Sequence, residues 1–147
     1  MKDSSRLEVD IKTLGYYIDR ALCAMIKRLN KELKAQNLNF QHSDFAILMV
    51  LSQKDGLNQS ELAGILGKEK SGIGRSLLSL EKDGYIARKA VNGCTNEVVL
   101  TEKGIEIMPL LNSIAHKVTD IAFAGLSESK RKEMMKNLTI VYKNSLK

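Results

Sequence analysis

Apolar positions recur at helical spacing along most of this chain, and two short extended segments interrupt that period past its midpoint. Ile11, Leu14, Ile18, Ala21, Leu22, Met25, Ile26, Leu29 and Leu33 fall on one stripe and predict a long helix from about Val9 to Ala35, after a polar start up to about Leu7. Gln36 to Asn39 reads as a turn. A second helix, capped by Ser43 and running to about Gln53, would bury Phe45, Leu48, Met49 and Leu51. The Lys54-Asp55-Gly56 turn then leads to Leu57.

The next boundary carries three agreeing signals. Asn58 suits an N-cap, Glu61 stands where a capping box places its acid, and Leu57 and Leu62 are spaced as a hydrophobic staple. The short helix would turn Leu62, Ala63, Ile65 and Leu66 inward and stop at Gly67. After a tight turn, a further helix from about Glu69 to Asp83 places Ile73, Leu77 and Leu80 on one apolar stripe, with Gly84 ending it. Its opposite face holds Lys70, Ser71, Gly72, Gly74, Arg75 and Ser79. Small, polar and cationic side chains suit an element that enters a groove lined by phosphates and base edges. Gly72 and Gly74 each cost a helix about 1 kcal/mol relative to alanine. Close approach of DNA to the backbone, or a first turn that DNA orders, are the two reasons considered for them.

Past Gly84 the period shortens. Tyr85 to Lys89 and Glu97 to Leu100 read as strands joined at Asn92-Gly93, a strong hairpin signal. Helix, turn, helix and hairpin in this order make a winged helix-turn-helix. Thr101 then caps a helix, with Leu100 and Ile105 as staple, that carries Ile107, Met108, Leu111, Ile114, Ala115, Val118, Ile121 and Ala122. It should extend to about Ala124 with a kink at Pro109. Gly125-Leu126-Ser127 breaks it, and Met134, Leu138 and Val141 mark a last helix from about Glu128 to Asn144.

Four runs in this order resemble the MarR family of bacterial transcriptional regulators. They are Gln59-Ser60-Glu61-Leu62-Ala63, Lys70-Ser71-Gly72-Ile73-Gly74-Arg75, Leu80-Glu81-Lys82-Asp83-Gly84-Tyr85-Ile86 and Leu100-Thr101-Glu102-Lys103-Gly104. The resemblance implies a mostly α single domain over 1–147, with 40–101 as the winged helix-turn-helix core and 8–36 and 102–146 as dimerisation helices. It further implies a homodimer that binds a pseudo-palindromic operator in double-stranded DNA, with repression as the family default. Family members often carry arginine at the wing tip for the minor groove. Here Asn92 to Asn96 holds none and is shorter by about two residues, so the wing's reach rests on Arg88 and Lys89 at its base.

Within this frame Arg75 is the candidate for a guanine edge, the alternative being a surface pair with an acid. Lys68, Lys70, Ser71, Arg88 and Lys89 are candidates for phosphates, and Gln59 and Ser60 for the backbone through their helix N-terminus. Several relatives in the family bind phenolic or lipophilic molecules. Tyr16, Tyr17, Met25, Phe45, Met49 and Met108 are the candidate lining of such a pocket, although such a set at helical spacing equally describes a core.

Charge adds modest weight. Among 147 residues the formal net charge is +6, and between Lys68 and Lys89 six basic residues face three acidic ones. Half of the excess thus lies on the proposed DNA face. Cys23 and Cys94 have neither metal nor disulfide spacing, which fits a reducing compartment, and Cys94 should be exposed at the wing tip. No signal peptide and no apolar run of about 18 residues is visible, so a cytoplasmic protein is expected. His42 and His116 lie on different helices, and Glu102 and Glu106 suit a helix's first turn. No enzyme, metal or cofactor is expected. A winged-helix module that binds another protein instead of DNA is the competing class.

Overall fold

The computed structural model describes residues 13–91, 93 and 95–147. It contains α1 (Leu14–Ala35), α2 (His42–Gln53), α3 (Gln59–Leu66), α4 (Lys70–Lys82), β1 (Ile86–Val91), β2 (Thr95–Leu100), α5 (Glu102–Ala122) and α6 (Glu128–Ser145). The expected beginning of the first helix, with Val9 and Ile11, lies outside the described residues, as do Asn92 and Cys94.

The core forms where α2, α3, α4, the hairpin and α5 converge. Ile47, Leu48, Leu51, Leu62, Ile73, Leu77, Leu80, Ile86, Val98 and Leu111 are buried there, and the stripe of Ile73, Leu77 and Leu80 predicted for the reader helix is its inner face. β1 and β2 pair antiparallel from Ile86 opposite Leu100 to Val91 opposite Thr95. Gly93, at φ +75, supplies the left-handed residue of the turn between them. An isolated bridge joins Leu57 to Val98, as a winged helix requires, and ties the entry to α3 to the wing.

Local chemistry fixes the boundaries. Asn58 Oδ1 accepts from Glu61 N–H at 2.8 Å and Glu61 Oε1 accepts from Asn58 N–H at 3.2 Å, so the expected capping box is complete. Gly67 closes α3 at φ +61. α2 starts earlier than its apolar pattern suggested. Gln41 is the N-cap, and its backbone N–H donates to the buried Asp44 carboxylate at 2.8 Å. Ser43 therefore sits inside the helix, where its hydroxyl pairs with that of the buried Ser76 at 2.7 Å and pins α2 to α4. One inward assignment fails: Ile65 is 56% exposed. Leu62 and Ala63 are the buried residues of α3, Leu66 packs partly buried against the core, and Ile65 is left in solvent.

The α4–β1 turn is clamped to the start of α5. Thr101 N–H donates to Tyr85 O at 3.1 Å, Thr101 Oγ1 donates to Gly84 O, and Lys103 Nζ donates to Asp83 O at 2.6 Å while lying over the Tyr85 ring. Gly104 is buried against this turn, and a Cβ on it would run into the Tyr85 carbonyl oxygen. Two of the four family-like runs, Leu80 to Ile86 and Leu100 to Gly104, thus meet in space and hold the C-terminal end of α4.

At the other end of α5, Arg131 donates to the carbonyls of Phe123 and Leu126 and covers the helix terminus left bare by the Gly125 break. Pro109 lies inside α5 as expected. Glu32 on α1 receives Lys117 of α5 at 2.8 Å and Arg28 at 3.2 Å, and the Lys117 hydrogen bond in particular draws its pKa below the ordinary carboxylate value. No residue of α6 is buried.

Candidate nucleic-acid interface

With Ile73, Leu77 and Leu80 directed into the core, helical geometry turns Ser71, Arg75, Leu78 and Lys82 the opposite way. All four are exposed, as are Lys68, Lys70, Ser79, Lys89 and Ser60. No side chain caps the N-terminus of α4 at Glu69, so its first-turn N–H groups are left for an outside acceptor. Two clefts flank the helix. One, of about 240 Å³, lies between the N-terminus of α3, Lys70 and the wing residues Arg88 and Asn96. The other, of about 460 Å³, lies between Gln41 and Ser43 of the α2 entry and Lys68, Arg75 and Ser79.

The structure thus brings Lys68, Lys70, Ser71, Arg75 and Ser79 to one surface with Gln59, Ser60 and Arg88 at its edge. Gln59 and Arg88 are already engaged within the chain. Gln59 Nε2 donates to Lys70 O at 2.9 Å, which ties α3 to the first turn of α4. Arg88 Nε stands 3.6 Å from Glu81 Oε2 with no hydrogen-bond partner, an ion pair that a phosphate would have to compete with.

The two helix glycines have different explanations. A Cβ on Gly74 would come 2.8 Å from Gln59 Nε2, so Gly74 makes room for the side chain that bridges the two helices. That is a reason internal to the fold, and neither of the two considered from sequence. Gly72 has only ordinary contact with Arg75, and nothing within the chain requires a glycine there. Lys82 and Leu78 were missed by sequence reading. Their signal was the seven-residue and three-residue spacing from Arg75, which puts both on its face.

The candidate pocket residues do not assemble as one set. Met25 and Phe45 line a crevice of about 170 Å³ between α1, α2 and α5, together with Leu22, Leu29, His42 and Val118. Met108 is core, Met49 packs against the core, and Tyr16 and Tyr17 stack edge to face near the start of α1. Burial, with the Lys68 charge adding to it, lowers the pKa of His42 below 6.5. Cys23 is exposed and free. Among the described residues no group of acids, histidines and cysteines is arranged to hold a metal, and no helix is long and apolar enough to cross a membrane.

A cationic helix standing out from an α3-turn-α4 pair beside a hairpin wing defines a winged helix-turn-helix protein. Residues 40–92 match the model of the MarR family. A MarR transcriptional regulator from Methanosarcina mazei Go1 superposes with a TM-score of 0.79 at 26% identity, covering 97% of this chain and 95% of that one. A MarR family regulator from Listeria monocytogenes, solved in complex with 26mer DNA, gives 0.81 at 24% identity over 91% and 89% of the two chains. The HTH-type transcriptional regulator SarZ of Staphylococcus haemolyticus (strain JCSC1435) is 24% identical over 139 residues, 88% of this chain and 92% of its own. The winged helix-turn-helix segment of this chain thus carries the MarR-family pattern, and its fold as a whole is similar to that of MarR transcriptional regulators.

Proposed function

We propose that this protein binds double-stranded DNA sequence-specifically as a homodimer and represses transcription from a pseudo-palindromic operator. The observation that carries the reading is the division of α4 into a buried apolar face and an exposed face bearing Ser71, Arg75 and Lys82. Arg75 donates to a guanine edge, while Lys68, Lys70, Ser71, Ser79 and Lys89 hold phosphates, with Ser60 and Arg88 at the margins. Gln59 serves by positioning the first turn of α4. The DNA held by the Listeria regulator of the same fold supports this reading.

Dimerisation is supported by the apolar side chains that α1 and α6 leave in solvent. Leu14, Tyr17, Ile18 and Leu22 of α1 and Met135, Leu138, Ile140, Val141 and Tyr142 of α6 are all exposed. So many large apolar side chains left in solvent on two helices are unusual for a monomer. A two-fold dimer would carry its reader helices about 34 Å apart, one helical turn of DNA.

Release by a small lipophilic or phenolic molecule is the regulatory reading that the α1–α2–α5 crevice supports. A dry apolar cavity of about 150 Å³ accepts a benzene ring, so the crevice at about 170 Å³ fits one aromatic ring and little more. It reaches the reader through α2, which is joined to α4 by the Ser43–Ser76 hydrogen bond.

Selection of bound fragments from genomic DNA, followed by titration at several salt concentrations, tests the core of this reading. An inverted repeat with half-sites about 10 base pairs apart and a steep fall of affinity with salt are expected. Fragments without any repeated motif, bound with no salt dependence, would overturn it and favour a protein-binding module.

A further inference from the structure

Leu78 occupies an unusual place. Single exposed leucines are common on protein surfaces and ordinarily need no explanation. This one is 62% exposed in the middle of α4, three residues after Arg75 and four before Lys82, on the helix face directed away from the core. Ile73, Ser76, Leu77 and Leu80 supply all the buried positions of the helix, so the core has no call on Leu78. Its neighbours on that face are Ser71, Gly74, Arg75 and Lys82.

A helix pressed into the major groove meets one apolar feature on the base edges, the 5-methyl group of thymine. Arg75 and Lys82 bracket Leu78 with positive charge, and that charge favours a polyanion over a neutral or basic protein surface. Lys68 in the turn before the helix and Lys70 in its first turn extend the same field on one side, and Lys89 is exposed on the wing strand. In that setting the flanking cations would draw the helix in and leave the branched side chain between them facing the groove floor.

We propose that Leu78 is a specificity residue that reads thymine, seating its isobutyl group against the 5-methyl of one thymine in each half-site beside the base contacted by Arg75. This rests on the DNA-binding reading above and adds to it the identity of a base.

The test replaces the thymines of a selected operator one position at a time, in both half-sites, by deoxyuridine, which removes the methyl and leaves the pairing edge intact. Binding of the full-length protein is followed by fluorescence anisotropy at fixed salt. One thymine per half-site should lose about three- to fourfold in affinity per methyl when replaced, the worth of one buried carbon. Leu78→Ala should bind the unmodified operator more weakly and be indifferent to the same replacement, with its salt dependence unchanged because no phosphate contact is lost. The deoxyuridine scan of the unmutated protein needs no variant and stands even if Leu78→Ala folds poorly. Indifference of the unmutated protein to every replacement, or an undiminished penalty in Leu78→Ala, would overturn the assignment while leaving DNA binding intact. Absence of salt-dependent DNA binding in the unmutated protein would overturn the underlying reading as well.

Discussion

Two glycines show how far a residue's reason lies from its own neighbourhood. Gly74 and Gly104 both stand in helices, yet one faces the end of a flexible side chain and the other a backbone carbonyl. Gly74→Ala should therefore be close to neutral for stability: the helix gains about 1 kcal/mol and loses a hydrogen bond of similar worth as Gln59 swings away. Gly104→Ala should cost about 3 kcal/mol, the upper end for overpacking, because the Tyr85 carbonyl is held by Thr101 and cannot retreat. Urea unfolding of the two variants checks both, and equal losses would contradict the contrast. At the same scale, Arg75→Ala should leave stability unchanged and weaken operator binding by about 1–3 kcal/mol, with specificity relaxed at one base per half-site. Arg75 was legible from sequence because its face follows from the period of its own helix. The reason for Gly74 was not, since Gln59 reaches it from another helix and no pattern within α4 records that approach.

Elements were legible in proportion to how local their stop signals are. The α3 start was plain because Asn58, Glu61 and the flanking leucines all act within one turn, and Asn58→Ala should lower stability by about 1 kcal/mol, seen as a lower thermal midpoint. The α2 start was misplaced because Ser43 is the better cap by residue type, while Gln41 with Asp44 is the pair that closes the box. Tertiary context chose between them: Ser43 is used by Ser76. Neighbouring His42 gives α2 a pH response. Burial is the main cause of its lowered pKa, so as pH falls the unfolded chain takes up the proton near 6.5 and the folded chain only lower down. Between those points the unfolded state binds more protons, and stability falls with pH across that window; above 6.5 the imidazole is neutral in both states and contributes no slope. His42→Gln should remove this part of the acid sensitivity in thermal melts from pH 7 to pH 5, and an unchanged pH slope would place its origin elsewhere.

For the whole molecule, the apolar stripes of α1 and α6 were visible in the sequence, but what lies against them is not a property of one chain. In α6 every residue keeps at least partial access to solvent, and Met134, Leu138 and Val141 line up along it without a buried neighbour among them. The winged core does not depend on that face, since its buried set is drawn from α1 to α5 and the hairpin. A charge placed there should therefore separate assembly from folding. Leu138→Glu is expected to keep the helical content and the winged core while shifting the protein to a monomer in sedimentation at micromolar concentration. Operator affinity should fall sharply, and the slope of log affinity against log salt should drop to about half, because one reader helix then neutralises half as many phosphates. A variant that stays dimeric and binds with the full slope would move the interface away from α6.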